Sequence, residues 1–407
     1  MPRSRVGPRR LRCGAVLPPL LFAVGAFAGA PSNECAPIGQ WLVPQADGAQ
    51  VQAPDGILTR LAGQRVVLLG ETHDNPDHHR WELYTLAGLY ALRSQMVLGF
   101  EMFPRRVQPA LDQWVAGELS EAEFLARTEW EKAWGYDPNV YMPIFHFARI
   151  NRIPMLALNV DRSLVSKVAD EGWAAIPAAL RDGVTDPVPA SRAYVEWLYQ
   201  FYLDHPPPGA TPPVERKPPT EADLAEPRFR RFVEGQLVWD RAMAQAIADR
   251  LRGPEHPFVA AIMGSGHLEH GYGVPHQLRD LGVTGTAVAL PWDQSTPCAP
   301  PQPGLADALF TLQARASVDS TERPRLGIGI EGGTGGVMVR EVLKGSIAEQ
   351  AGLKTGDVIT TAAGEPVRDT EDVIAAVGRQ APGTWLPLLV KRGDETLEIV
   401  ARFPPRK

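Results

Sequence analysis

Cysteine is scarce in this chain, with three in 407 residues, which excludes a scaffold held together by many disulfides. Positive charge is not in excess: 41 Lys and Arg stand against 47 Asp and Glu, for a net charge of −6. A nucleic-acid binder with a basic footprint is thereby disfavoured. The N-terminal apolar stretch from Ala15 to Gly25 holds Pro18 and Pro19 and falls short of the ~20 residues that a membrane-spanning helix needs. What remains is an ordinary globular composition, 44% hydrophobic and 22% charged. At about 100–200 residues per domain, the length implies two or three domains.

The N-terminus reads as a processing segment. Arg3, Arg5, Arg9, Arg10 and Arg12 form a positive region, the apolar stretch follows, and Ala26-Phe27-Ala28 is a small-residue cleavage site. Residues 1–28 are therefore expected to be a signal peptide, and the protein to be exported to the periplasm or cell envelope. A lipid anchor at Cys35 is poorly supported, because Ser32-Asn33-Glu34 does not make a lipobox. Cleavage leaves Cys35 and Cys298, which either pair in an oxidising compartment or stay free.

Five apolar runs, at 65–70, 96–101, 154–159, 257–263 and 285–290, look like buried strands. Segments of helical periodicity separate them: Val107 to Val115, Ser163 to Ala175 and Arg228 to Leu251. This alternation predicts an α/β fold with a mainly parallel central sheet flanked by helices. A Pro-rich insertion at 205–227 interrupts the pattern and is expected to be irregular. Residues 293–325 form a second break, with one amphipathic piece from Ala306 to Ala314 that completes the first domain.

A motif of Gly, two residues and His occurs twice, each time directly after a strand. Gly70-Glu71-Thr72-His73 is one copy and Gly264-Ser265-Gly266-His267 the other. Glu101 follows the second strand, and Asn159 and Arg162 the third. In open parallel sheets ligands bind beyond the carboxyl ends of the strands, so these residues converge on one crevice. Two chemistries suit them. Glu71, His73, Glu101 and His267 are the residue types that hold a divalent metal such as Zn, Mn, Co or Fe, leaving a position open for an activated water. Alternatively the polar cluster serves a larger ligand. His78 and His79 lie early in a helix starting near Pro76 and are expected to be partly exposed.

These segments resemble the ChaN-like family of haem-binding envelope proteins. The matching residues are Leu68 to Asn75, His78 to Trp81, Gly99 to Phe103, Ala157 to Asn159, Gln236 to Ala244, Gly264 to His267 and Gly273 to Pro275, and the resemblance covers about 38–316. It implies an exported α/β protein that binds haem, as a dimer with two haems at its interface, for haem or iron acquisition. The wider superfamily includes Tiki-type metal-dependent proteases and erythromycin-esterase-like hydrolases. That likeness makes Glu71, His73, Glu101 and His267 a metal or hydrolytic site, with catalysis as the alternative function. Haem needs an axial ligand. His73, His78, Tyr136, Tyr141, Asn159 and His267 are the candidate cofactor contacts, and Arg105 and Arg106 candidates for the propionates.

Residues 325–404 resemble a PDZ domain, a small β-rich fold with two helices. Leu326-Gly327-Ile328-Gly329 matches its carboxylate-binding loop, and Gly356-Asp357-Val358-Ile359 and a helix from Thr370 to Val377 follow in order. The resemblance implies a partner whose C-terminus or extended peptide pairs with the strand beginning at Ile328.

Overall fold

The computed structural model describes residues 36–46, 48–204, 217–255, 257–294, 299–314, 325–333 and 335–405. The signal-peptide expectation, Cys35, Cys298 and residues 205–216 of the Pro-rich insertion lie outside them. The first sheet contains β1 (Trp41–Gln45), β2 (Gly48–Gln52), β3 (Val66–Glu71), β4 (Met96–Pro104), β5 (Met155–Asn159), β6 (Phe258–Gly264), β7 (Thr286–Gln294) and β8 (Ala308–Gln313). Their spatial order is β2-β1-β8-β7-β3-β6-β4-β5. The six strands from β8 to β5 are parallel to their neighbours, and β1 and β2 add an antiparallel edge.

The alternation of residues along each strand builds two cores. Val67, Leu69, Leu98, Phe100, Ala260 and Ile262 face helices Pro54–Ala62, Pro76–Leu92, Gln108–Ala116 and Pro138–Ile150. Val66, Leu68, Val97, Val259, Ala261 and Met263 face the other side, against helices Pro227–Arg252 and Val274–Asp280. Every residue of β3, β4 and β6 is buried, as expected of strands covered on both faces. No helix among the described residues is long and apolar enough to cross a membrane.

All five expected strands form, and the amphipathic piece Ala306 to Ala314 completes the first domain as a sheet strand, β8. The Pro-rich insertion is not irregular throughout. Glu221–Ala225 is a short helix, because the Thr220 hydroxyl and the Asp223 carboxylate cap each other's backbone N–H groups.

The connectivity places the site. β6 comes late in the chain yet lies between β3 and β4, hydrogen-bonded to both. The carboxyl ends of these three strands, with β5 beside β4, therefore share one rim of the sheet.

The C-terminal sheet comprises β9 (Ile328–Gly333), β10 (Gly336–Val342), β11 (Val358–Ala362), β12 (Glu365–Pro366), β13 (Trp385–Arg392) and β14 (Glu395–Arg402). It is antiparallel, in the order β14-β13-β11-β10-β9 with β12 on β11, and encloses its own apolar core. Helices Ile347–Ala351 and Thr370–Gly378 complete it.

Candidate functional site

The first Gly-x-x-His copy turns out of β3 at Glu71, which is buried. His73 Nδ1 lies 2.5 Å from Glu71 Oε1. The Tyr141 hydroxyl, within 3.2 Å of both Glu71 Oε1 and the His73 carbonyl, braces the pair from the core side. Burial alone would lower the His73 pKa. The bond to Glu71 and the charges of Glu101 and Glu71 outweigh it, and the pKa stands above its usual value. The ring packs edge-on against Trp134 at 4.5 Å and beside Tyr136 at 5.2 Å. It also lies against β6. A Cβ on Gly264 would sit 3.0 Å from His73 Cε1, so glycine leaves the imidazole its place.

The second copy supplies His267, held between two carboxylates. Its Nδ1 is 2.6 Å from Asp240 Oδ1 and its Nε2 3.5 Å from Glu101 Oε1. The Gly264 N–H donates to Glu101 Oε2 at 2.7 Å, so the end of β6 grips the carboxylate at the end of β4. Asn159 donates to the Glu101 carbonyl oxygen at 3.0 Å, tying in β5. Burial opposes charge on both Glu101 and His267, yet their mutual attraction and hydrogen bonds win. Glu101 is held at about 2 and His267 is pushed up to about 10. The two form a buried ion pair. Tyr194 donates to Asp240 Oδ2 at 2.8 Å, which satisfies the second oxygen of that acid.

Asp240 is the site residue that sequence reasoning missed. It lies in the matched segment Gln236 to Ala244, and a fully buried acid among the apolar residues of a long helix was the available signal. Glu82 was missed as well. It is completely buried and 2.9 Å from His79 Nδ1, and burial pushes its carboxyl up to about 8.

Several expected contacts are corrected by their surroundings. His78 and His79 are buried, not partly exposed. His78 Nδ1 accepts the Thr72 N–H at 2.9 Å and its Nε2 bonds Asp293 at 3.1 Å, so both ring nitrogens are spent on shaping the turn and no lone pair is left for a cofactor. Tyr141 is wholly buried with its hydroxyl bonded to Glu71, which removes it as an axial ligand. Arg105 donates to the Asp182 and Ala242 carbonyls, and Arg106 to Asp161 and Glu129, so neither guanidinium is free for a propionate. Tyr136 is different. It is half-buried beside His73, and its hydroxyl has no hydrogen-bond partner among the described residues. Burial, then the charges of Asp74 and Glu71, raise its phenol pKa.

A cleft of about 160 Å³ opens at these strand ends, with Glu101 and Asn159 on its floor side. Met102, Trp134, Val160 and Trp239 make its apolar lining, and Lys132 and Arg162 stand at its margin. Arg162 is exposed and pairs with no acid among the described residues. The buried Trp239 Nε1 has no hydrogen-bond partner among the described residues. This set fits a flat apolar ligand with anionic edges, as haem is: aromatic faces, an unengaged phenol nearby, an unpaired Arg162, and Lys132, which pairs with Glu129 at the exposed surface.

A bare divalent metal would meet a partly engaged donor set. Glu71 Oε1, His73 Nδ1, Glu101 Oε2 and His267 Nδ1 are engaged within the cluster, on Asp240 and on Gly264, while the buried Glu71 Oε2 has no hydrogen-bond partner among the described residues. Among the described residues no group of three His, Cys, Asp or Glu side chains is arranged to hold a metal ion.

In the C-terminal domain β9 is a sheet edge beside helix Thr370–Gly378. Leu326 is buried, and Gly327 takes φ +76° with Ser346 Cβ only 2.4 Å from where its own Cβ would be. Glycine is required for the loop to fold back there. The backbone of Leu326, Gly327, Ile328 and Gly329 thus runs into an unpaired strand edge, open to an added strand.

Comparisons with known proteins agree with this architecture. A family model described as haem-binding uptake, Tiki superfamily, ChaN matches residues 57–278, and a PDZ-domain model matches 324–401. A solved structure described as cofacial heme binding to ChaN of Campylobacter jejuni has the same α/β fold. It superposes with a TM-score of 0.51 at 17% identity, over 67% of this chain and 98% of that one. Serine protease HTRA1 of Xenopus tropicalis is 39% identical over 66 residues, which is 16% of this chain and 14% of the protease. The periplasmic pH-dependent serine endoprotease DegQ of Escherichia coli is 36% identical over 64 residues, again 16% of this chain and 14% of the protease. The chain thus matches only about one seventh of these proteases' length. With more than half of its residues matched by the family model, the chain belongs to the ChaN-type haem-binding uptake family of the Tiki superfamily and carries a C-terminal PDZ domain.

Proposed function

We propose that this protein is an exported haem carrier whose cargo sits against the strand-end cleft, and whose PDZ domain recruits a partner by its C-terminus or an extended peptide. The observation that carries the reading is the cleft itself. Its Trp134 wall packs on both His73 and Tyr136, and Arg162 stands unpaired at its margin. Tyr136 is the proposed axial ligand, since its hydroxyl is uncommitted and phenolate is a known haem ligand. Arg162 and Lys132 receive the propionates. Bound there, haem would supply a Lewis-acidic iron, and Tyr136 would be the residue that holds it. The Glu71–His73 pair orders the adjacent turn, and the Glu101–His267–Asp240 chain fixes the ends of β4 and β6. The cleft is too small to enclose a porphyrin, which favours a homodimer with haem shared at the interface. The proposed role is haem or iron acquisition in the periplasm or cell envelope, with 1–28 as signal peptide, 38–316 as the haem domain and 325–404 as the PDZ domain. Hemin titration tests the reading: a saturable Soret shift supports it, and a linear, unsaturating response rejects it.

A second reading, hydrolysis of substrates delivered by the PDZ domain, is favoured by the Glu71–His73 distance of 2.5 Å. A carboxylate-held imidazole beside a cleft is the arrangement of a general base. Turnover of ester or peptide probes that disappears in Glu71→Gln and His73→Ala supports it. Equal background rates in all three proteins reject it.

A further inference from the structure

Away from the strand ends, a second cleft of about 430 Å³ lies between helix Val274–Asp280, the first half of β7 and the turn before β8. That is room for a small organic molecule. Pro275, Val283, Val288 and Leu305 form its apolar wall, and His270, Arg279 and Asp307 supply its polar groups.

His270 is half-buried, while Arg279 and Asp307 are exposed and each tethered by one bond to the backbone. His270 is a non-glycine residue at φ +56°, a backbone region that side chains with a Cβ rarely adopt and that collects at functional positions. Its N–H donates to the Leu305 carbonyl at 2.9 Å, which holds the half-buried ring at the cleft. Burial lowers its pKa. Arg279 Nη2 donates to the Gly271 carbonyl at 3.1 Å, which leaves the rest of the guanidinium unengaged. Asp307 Oδ2 accepts the Val288 N–H at 2.8 Å, so the carboxylate is oriented while Oδ1 has no partner among the described residues.

Arg279 and Asp307 line the same cleft, yet they form no ion pair with each other. Two opposite charges lining one apolar cleft without pairing, with an imidazole beside them, match a ligand that carries both charges on one small apolar body. We propose that this cleft binds a free amino acid with an apolar side chain. Its carboxylate meets Arg279, its ammonium meets Asp307 Oδ1 beside the His270 ring, and its side chain lies on Val283, Val288 and Leu305.

Calorimetric titration of the full chain with L-leucine, 4-methylpentanoate and 3-methylbutylamine tests this. The expected result is saturable leucine binding, with each single-charge analogue at least about tenfold weaker, as loss of a charge-assisted hydrogen bond implies. Arg279→Met and Asp307→Asn should each weaken leucine by about tenfold. The asparagine keeps an oxygen for the Val288 N–H, and a thermal melt verifies that both variants fold. No saturable heat with leucine overturns the proposal. So does an analogue that binds as tightly as leucine, or undiminished leucine affinity in folded Arg279→Met. Hemin uptake is expected to be unchanged in both variants, so this test stands apart from the haem reading.

Discussion

Asp240 holds His267 from inside a helix: Oδ1 of the acid lies 2.6 Å from Nδ1 of the imidazole, and Asp240 is completely buried. The contact ties helix Pro227–Arg252 to the end of β6. Asp240→Asn replaces an anion beside a buried imidazolium with a neutral amide. Breaking a buried charge pair from one side costs about 3–5 kcal/mol. Urea unfolding of the variant is expected to show a loss of that size, with a shifted midpoint and an unchanged slope. A loss below about 0.5 kcal/mol, the range of ordinary surface substitutions, contradicts the assigned role.

The same cluster sets a pH window for stability. Glu101 falls from its usual 4.5 to about 2 in the folded protein, so its contribution is complete above 4.5 and fades as pH drops through about 2. His267 rises from 6.5 to about 10, so its contribution is complete below 6.5 and fades as pH climbs through about 10. Both are fully present only between about 4.5 and 6.5. Glu82, raised from 4.5 to about 8, favours the folded state at low pH and loses that contribution as pH rises through about 8. Thermal melts across pH should therefore decline from pH 4.5 upward in the wild type, and decline less between pH 4.5 and about 8 in Glu82→Gln. Parallel profiles for the two proteins would exclude Glu82 as a source of the slope.

The two tyrosines of the first corner separate structure from ligand binding. Tyr141→Phe leaves a buried Glu71 oxygen without one donor, at a cost of about 1–3 kcal/mol in stability, while hemin uptake persists. Tyr136→Phe removes an uncommitted hydroxyl and should leave stability within about 0.5 kcal/mol. The reverse pattern, with stability lost in Tyr136→Phe and retained in Tyr141→Phe, would exchange their roles.

At the PDZ edge, Gly327→Val forces a branched side chain into φ +76° and against Ser346. The variant is expected to lose binding of C-terminal peptides by tenfold or more, measured by fluorescence anisotropy against a peptide library. Unchanged affinity for a peptide that the wild type binds would place recognition elsewhere on the domain.

The sequence made the site legible where chemistry and strand ends coincide. Glu71, His73, Glu101 and His267 each follow an apolar run, and β6 brings their strands together. Asp240 was hidden because it acts from a helix interior, where no strand end marks it. Tyr141 was read as a ligand because its residue type, but not its burial, is visible in sequence. His78 was read as exposed because its helix shows little apolar periodicity, and its buried face holds His78, His79, Glu82 and Thr85. β1 and β2 escaped notice because their exposed residues make no apolar run, and β8 because its pattern reads equally as helix or strand. Residue types suited to a metal are equally suited to pairing with each other, as Glu71 does with His73 and Glu101 with His267.

The most direct test of haem binding at the strand ends is a parallel hemin titration of the wild type, Tyr136→Phe and Arg162→Ala by absorbance. The expected result is a saturable Soret shift in the wild type, loss of the phenolate-to-iron charge-transfer band in Tyr136→Phe, and weaker uptake in Arg162→Ala. Identical spectra and affinities in all three proteins, or no saturable change in the wild type, would contradict the placement of haem against this cleft.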